Sequence, residues 1–127
     1  MFAELAALRD RLATIPGVAT ARVGFEEGSI AAEDYPIVRV VPTRLDPGRG
    51  YQQRTIEVAI VFGEIVTASE GLETVYSKLS DLEEAIIAQV KEHGGRYVAT
   101  LTDEDRISTY KLMQVQCEIT AERPAPP

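Results

Sequence analysis

This 127-residue chain lacks an excess of positive charge, any possible cysteine pair, any tryptophan and any long apolar run. Its 13 lysines and arginines stand against 20 acids, for a formal net charge of -7. That balance favours solubility and works against broad phosphate binding, although an acidic wall can still face DNA without holding it. A single cysteine, Cys117, excludes an intramolecular disulfide and a cysteine zinc site. It falls in the apolar register of a strand, so a buried, inert thiol is expected there. Aromatic residues make up 6% of the chain, too few for the stacking ladder that holds single-stranded nucleic acid. No apolar stretch approaches the length of a membrane span. Met1 to Ile15 carries Glu4, Arg9, Asp10 and Arg11, unlike a secretory signal. A soluble protein made in the cytoplasm is the expectation, with no membrane partner.

What is present is alternation between helical and strand periodicity. Phe2, Leu5, Leu8, Leu12 and Ile15 recur at spacings of three and four, one stripe of an amphipathic helix that Pro16-Gly17 stops. Val18 to Phe25 reads as a strand with Ala19, Ala21, Val23 and Phe25 on one face. Glu26 to Asp34 reads as a loop. A second strand runs from Tyr35 to Pro42 and a third from Arg54 to Phe62, with Ile56, Val58, Ile60 and Phe62 pointing one way. Between them, Asp46-Pro47-Gly48-Arg49-Gly50 is a turn signal, so these two strands should form a hairpin with a long basic tip (Arg44, Arg49, Arg54). A long helix follows, from about Ala68 to Glu92. Thr67 and Glu70 match a capping box at its start, and Gly94-Gly95 ends it. Its stripe is Leu72, Val75, Leu79, Leu82, Ile86 and Val90, suited to packing across a sheet. Two strands, Arg96 to Thr102 and Thr109 to Ala121, close the chain. In the last, Met113, Val115, Cys117 and Ile119 face one side, and Lys111, Gln114, Gln116 and Glu118 are grouped as its polar residues.

The expected fold is therefore α+β: one mixed or antiparallel sheet of about four to five strands, packed by the long helix and the N-terminal helix. A single domain covers residues 1–122, and residues 123–127 form a proline-rich tail that cannot take regular structure.

Chemistry-bearing constellations are sparse. His93 is the only histidine, and a nucleophilic triad or dyad would need it. It sits at a helix C-terminus, where a capping role is expected. Asp103, Glu104 and Asp105 are adjacent acids, but they lack the spacing of a calcium loop and read as a solvated turn. Glu83 and Glu84 diverge around a helix, so they do not form an acid–base pair. Gly48-Arg49-Gly50 lacks the spacing and following helix of a phosphate loop. No catalytic residue, cofactor or metal is assigned, and no enzymatic activity is expected.

The order of elements, helix, three strands, long helix and two strands, resembles the tail terminator proteins of long-tailed bacteriophages, which include minor tail protein U and related tail-completion proteins. The carriers are the opening helix, the Asp34-Tyr35-Pro36-Ile37-Val38-Arg39-Val40 segment, the Arg54-to-Phe62 strand, the Thr67-to-Glu92 helix and the closing strand. The resemblance spans Phe2 to about Ala121. It implies a structural virion protein that forms a homo-oligomeric ring, typically a hexamer, at the head-proximal end of the tail tube. There it stops tube polymerisation and meets the head-side connector, while DNA passes through the lumen without specific binding. The family brings no catalytic residues.

A ring requires two different surfaces of one subunit to meet. Charge suggests Arg44, Asp46, Arg49 and Arg54 at the hairpin on one side and Glu73, Asp81 and Glu84 on the long helix on the other. A head-completion or neck connector subunit fits the same pattern. A non-viral ligand-binding or regulatory α+β module is the alternative of a different class, marked by a pocket with convergent polar groups.

Overall fold

A computed structural model describes residues 1–26, 30–47, 53–67, 71–103 and 109–122. The elements are α1 (Phe2–Leu12), β1 (Thr20–Val23), a 3-10 turn (Ala32–Asp34), β2 (Ile37–Asp46), β3 (Gln53–Ile65), α2 (Gly71–Glu92), β4 (Arg96–Thr102) and β5 (Tyr110–Glu122). The five strands form one sheet in the order β1-β2-β3-β5-β4. The edge pair β1–β2 is parallel and the other three pairs are antiparallel, so the sheet is mixed and the fold is α+β.

Both helices cover the same face of the sheet. Leu5, Leu8 and Leu12 of α1, with Ile15 just beyond it, meet Val75, Leu79, Ile86 and Val90 of α2 in one core. Beneath them lie Val38 and Val40 of β2, Ile56, Val58, Ile60 and Phe62 of β3, and Val115, Cys117 and Ile119 of β5. Alternation along each strand puts these residues on one side, and register aligns them: Val40 opposes Ile60, and Ile60 opposes Val115. Full burial of each such aliphatic side chain contributes about 1.5–3 kcal/mol. The long helix thus packs across the sheet, as its stripe implies. Leu82 belongs to that stripe but is only partly buried. The opening stripe begins a turn late, because Phe2 is 63% exposed and Leu5 is its first covered member.

The end of α2 follows from its glycines. Gly94 takes φ +84°, its N–H donates to the Lys91 carbonyl, and Gly95 N–H donates to the Val90 carbonyl at 2.9 Å. This paired cap satisfies carbonyls that the helix leaves open. At the other end, Gly71 N–H donates to the Thr67 carbonyl. Glu70, the second half of the expected capping box, lies outside the described residues, as do residues 123–127.

Several sequence expectations need correction. The first strand is shorter than Val18 to Phe25: it ends at Val23, and Gly24 at φ +89° turns the chain. Ala21 and Val23 pack on the core, Ala19 is exposed, and Phe25 joins a groove on the opposite face of the sheet. The segment expected as a loop before β2 contains the 3-10 turn, in which the Asp34 carboxylate accepts the Ala31 N–H at 2.7 Å. The second strand does not stop at Pro42. A register shift between Pro42 and Arg44 accommodates the residue that has no N–H to donate, and pairing resumes through Asp46. Thr43 is left out of the ladder there, and its hydroxyl donates to the Glu57 carbonyl at 3.1 Å.

The largest correction concerns Lys111. It alternates in phase with Met113, Val115 and Cys117, and so lies on the helix-covered face at 3% exposure. Gln114, Gln116 and Glu118 occupy the other face and are half-buried.

Candidate functional site

Of the residues expected to mark subunit contacts, the described ones lie on β2, on β3 and on α2. Arg44 is exposed on β2, in register with Glu57 of β3. Asp46 is half-buried opposite Thr55 and already engaged in an interaction. Arg49 lies outside the described residues. Arg54 is not part of an exposed tip: it is half-buried on the helix side of β3, opposite Ala121. There its charge reaches Glu4 of α1. The Glu4 carboxyl is held below its usual pKa first by its own backbone N–H, then by the N-terminal amine 3.1 Å away, with Arg54 adding a smaller pull. Glu73, Asp81 and Glu84 are exposed on α2, on the side turned away from the core.

The residues weighed for catalysis sit in structural settings. His93 caps α2, donating its N–H to the Gln89 carbonyl. Cys117 is buried, and desolvation, with a smaller contribution from the nearby Glu118 carboxylate, pushes its thiol up to about 12. A thiol with that pKa is protonated at neutral pH and is a poor nucleophile. Asp103 is tied to Lys111, and residues 104–108 lie outside the described set. Among the described residues, no group of three or more His, Cys, Asp or Glu side chains could hold a metal ion, and no helix is long and apolar enough to cross a membrane.

Two polar arrangements were not anticipated. The first lies under the N-terminal half of α2. Lys111 opposes Glu64 directly across β3 and β5, and both are buried on the core side. Lys111 Nζ pairs with the Asp103 carboxylate, donates to the Asp103 carbonyl at 2.6 Å, and lies 5.6 Å from the centroid of the Tyr76 ring. Glu64 accepts the Ile65 N–H at 2.9 Å. Glu64 also contributes to the wall of a cavity of about 380 Å³ between the turn after α1 and α2. Ile15, Pro16, Pro36, Leu79, Leu82 and Ala85 make the cavity apolar, and Lys78 and Asp81 stand among its lining residues. Its volume falls within the range of small-molecule sites.

The second arrangement lies on the helix-free face of the sheet. Gly63 of β3 admits Leu112 there, and Phe25, Val61, Leu101 and Leu112 line a shallow groove with Gln114. Val98 and Leu101 of the edge strand β4 are 46% and 44% exposed. On the β1–β2 side, Arg22 and Arg39 are direct register partners on this face. Arg39 is only 4% exposed, and its Nε is buried without a hydrogen-bond partner among the described residues. Leaving a buried donor unsatisfied costs about 1–3 kcal/mol; the Nε atoms of Arg11 and Arg54 are in the same condition, but among the described arginines only Arg39 is buried as a whole residue. Near the other side of the same face the charges are matched, with Arg96 donating to Glu118 at 2.9–3.1 Å.

Sequence signals for these features existed in part. The phase of Lys111 with Met113 is legible from strand alternation. The pairing of Arg22 with Arg39 is not, because it depends on a parallel register across a long connection. No protein-family model matches the chain, and no curated protein matches it in sequence.

Proposed function

We propose that the chain is a structural subunit of a long-tailed phage or phage-like tail, a tail terminator that assembles into a closed ring, with a hexamer as the expected form. In this reading the ring caps the tail tube, stops its polymerisation and receives the head-side connector in the virion. DNA passes through its lumen without specific contact. The observation that carries the reading is the division of the molecule into two unlike outer surfaces. The helix layer presents Glu73, Asp81 and Glu84, whereas the reverse of the sheet presents a partly apolar groove, the exposed Arg22 beside the buried Arg39, and the exposed side chains of β4. Surfaces that differ in this way are suited to heterologous contacts, which close into rings. The element order adds the resemblance to tail terminators, and a neck connector subunit would use the same surfaces.

The test is light scattering after size exclusion across a wide concentration range, with negative-stain imaging of the same fractions. A closed ring with a central hole supports the reading. A fixed compact dimer would overturn it.

One observation favours a second reading, a ligand-binding module. The cavity beside α2 combines apolar walls with Glu64, Lys78 and Asp81. Saturable binding of a small apolar cation or zwitterion, abolished by Leu82→Trp, would make that reading the stronger one.

A further inference from the structure

We infer that Arg39 and Arg22 together form an oxyanion-binding site on the helix-free face of the sheet, one that takes a carboxylate or phosphate group supplied from outside the described part of the chain. Three features carry this. Arg39 is nine-tenths buried or more, and its Nε has no acceptor among the described residues. None of the ion pairs or side-chain hydrogen bonds among the described residues involves Arg39 or Arg22. The two residues are register partners on adjacent parallel strands, so the bases of their side chains stand about 4.8 Å apart. Ala21 and Val23 pack on the core side of β1, which directs Arg22 to the same face as Arg39.

Like charges placed side by side on a sheet oppose each other, and the burial of Arg39 removes water that would screen its charge, while Arg22 stays exposed. An oxyanion between the two guanidinium forks reverses both penalties. Arginine suits this role because its planar donor fork matches the two oxygens of a carboxylate or phosphate, and because it stays charged when desolvated. Two arginines that are not buried as whole residues have internal carboxylate partners: Arg11 has Glu92 and Arg96 has Glu118. For Arg39 the fold supplies the cationic half of a pair with no anionic half among the described residues.

The inference does not depend on ring assembly. Thermal unfolding of the whole chain is followed against inorganic phosphate at constant ionic strength, for the parent protein, Arg22→Gln and Arg39→Met. The expected result is a rise in midpoint that saturates with phosphate in the parent protein. Arg22→Gln, at an exposed position that does not threaten folding, should weaken the apparent affinity about tenfold, the equivalent of one charge-assisted hydrogen bond. Arg39→Met should abolish the saturable rise. A rise that climbs without saturating, as excluded salts produce, or one unchanged in Arg22→Gln, overturns the proposal.

Light scattering on the same samples identifies the source of the anion. If phosphate or Arg22→Gln dissociates an assembly, the natural occupant is a carboxylate from a second copy. If phosphate binds saturably without changing the oligomeric state, the occupant is a free anion. A parent protein that stays monomeric yet binds phosphate keeps this site whatever becomes of the ring reading, which a fixed compact dimer would overturn.

Discussion

Removing Asp103 should harm the protein more than removing Lys111, although the two form one ion pair. The Lys111 side chain is 4% exposed, whereas that of Asp103 is 52% exposed. Asp103→Ala therefore leaves a sealed ammonium with less compensation. Breaking a fully buried pair by deleting one partner costs about 3–5 kcal/mol. Here the carboxylate is half in water, and Lys111 keeps the Asp103 carbonyl at 2.6 Å and the Tyr76 ring. Discounting for that screening leaves about 1–3 kcal/mol. Lys111→Met removes the charge and keeps an unbranched apolar stem against Met113 and α2. It should lie within about 1 kcal/mol of the parent protein, or be more stable. The double variant should match Lys111→Met, because Asp103 has nothing left to neutralise. Urea unfolding followed by circular dichroism measures all four proteins, with unchanged slopes licensing the comparison. If Lys111→Met costs more than Asp103→Ala, the ammonium is itself a net source of stability and the desolvation argument is wrong.

Three further outcomes follow from the packing and the titrating groups. Gly63→Ala should destabilise by about 1–3 kcal/mol in the same unfolding assay, because its new Cβ would meet the Lys111 carbonyl at 2.8 Å and the Leu112 side chain in the middle of the sheet. Cys117, with its pKa pushed up to about 12, should resist alkylation at pH 8 in the native protein and react after denaturation; rapid native labelling would refute its burial. Glu4 is held below its usual pKa in the folded state, so the unfolded chain binds its proton first as pH falls. Its contribution is fully present above the unfolded carboxylate pKa, near 4.5, and is lost as pH drops through the lower folded value. Glu4→Gln should thus narrow its stability gap to the parent protein on acidification, and a gap that widens below pH 4 would contradict the sign.

The elements most legible in the sequence were those whose periodicity and punctuation agree. The α2 stripe and its Gly94-Gly95 stop needed only helical spacing and a left-handed cap. The β3 alternation of Ile56, Val58, Ile60 and Phe62 predicted a buried face, and all four are buried. Errors arose where a local cue was overridden. Pro42 suggested a strand end, but a bulge carried β2 onward to Asp46. Arg54 read as part of a basic loop, but β3 starts earlier and turns it toward Glu4. Lys111 read as polar surface by residue type, though its phase along β5 already placed it inside.

By itself, the sequence determined the α+β class, the number and order of the principal elements, the main apolar stripes and the absence of cysteine-pair chemistry. Those properties follow from composition and short-range periodicity. Only the tertiary structure decided that β1 pairs with β2 in parallel, that Lys111 stands against Glu64 beneath α2, and that Arg22 and Arg39 share one face of the sheet. Strand pairing joins residues far apart along the chain, and its register decides which side chains become neighbours, a choice that local propensity does not encode.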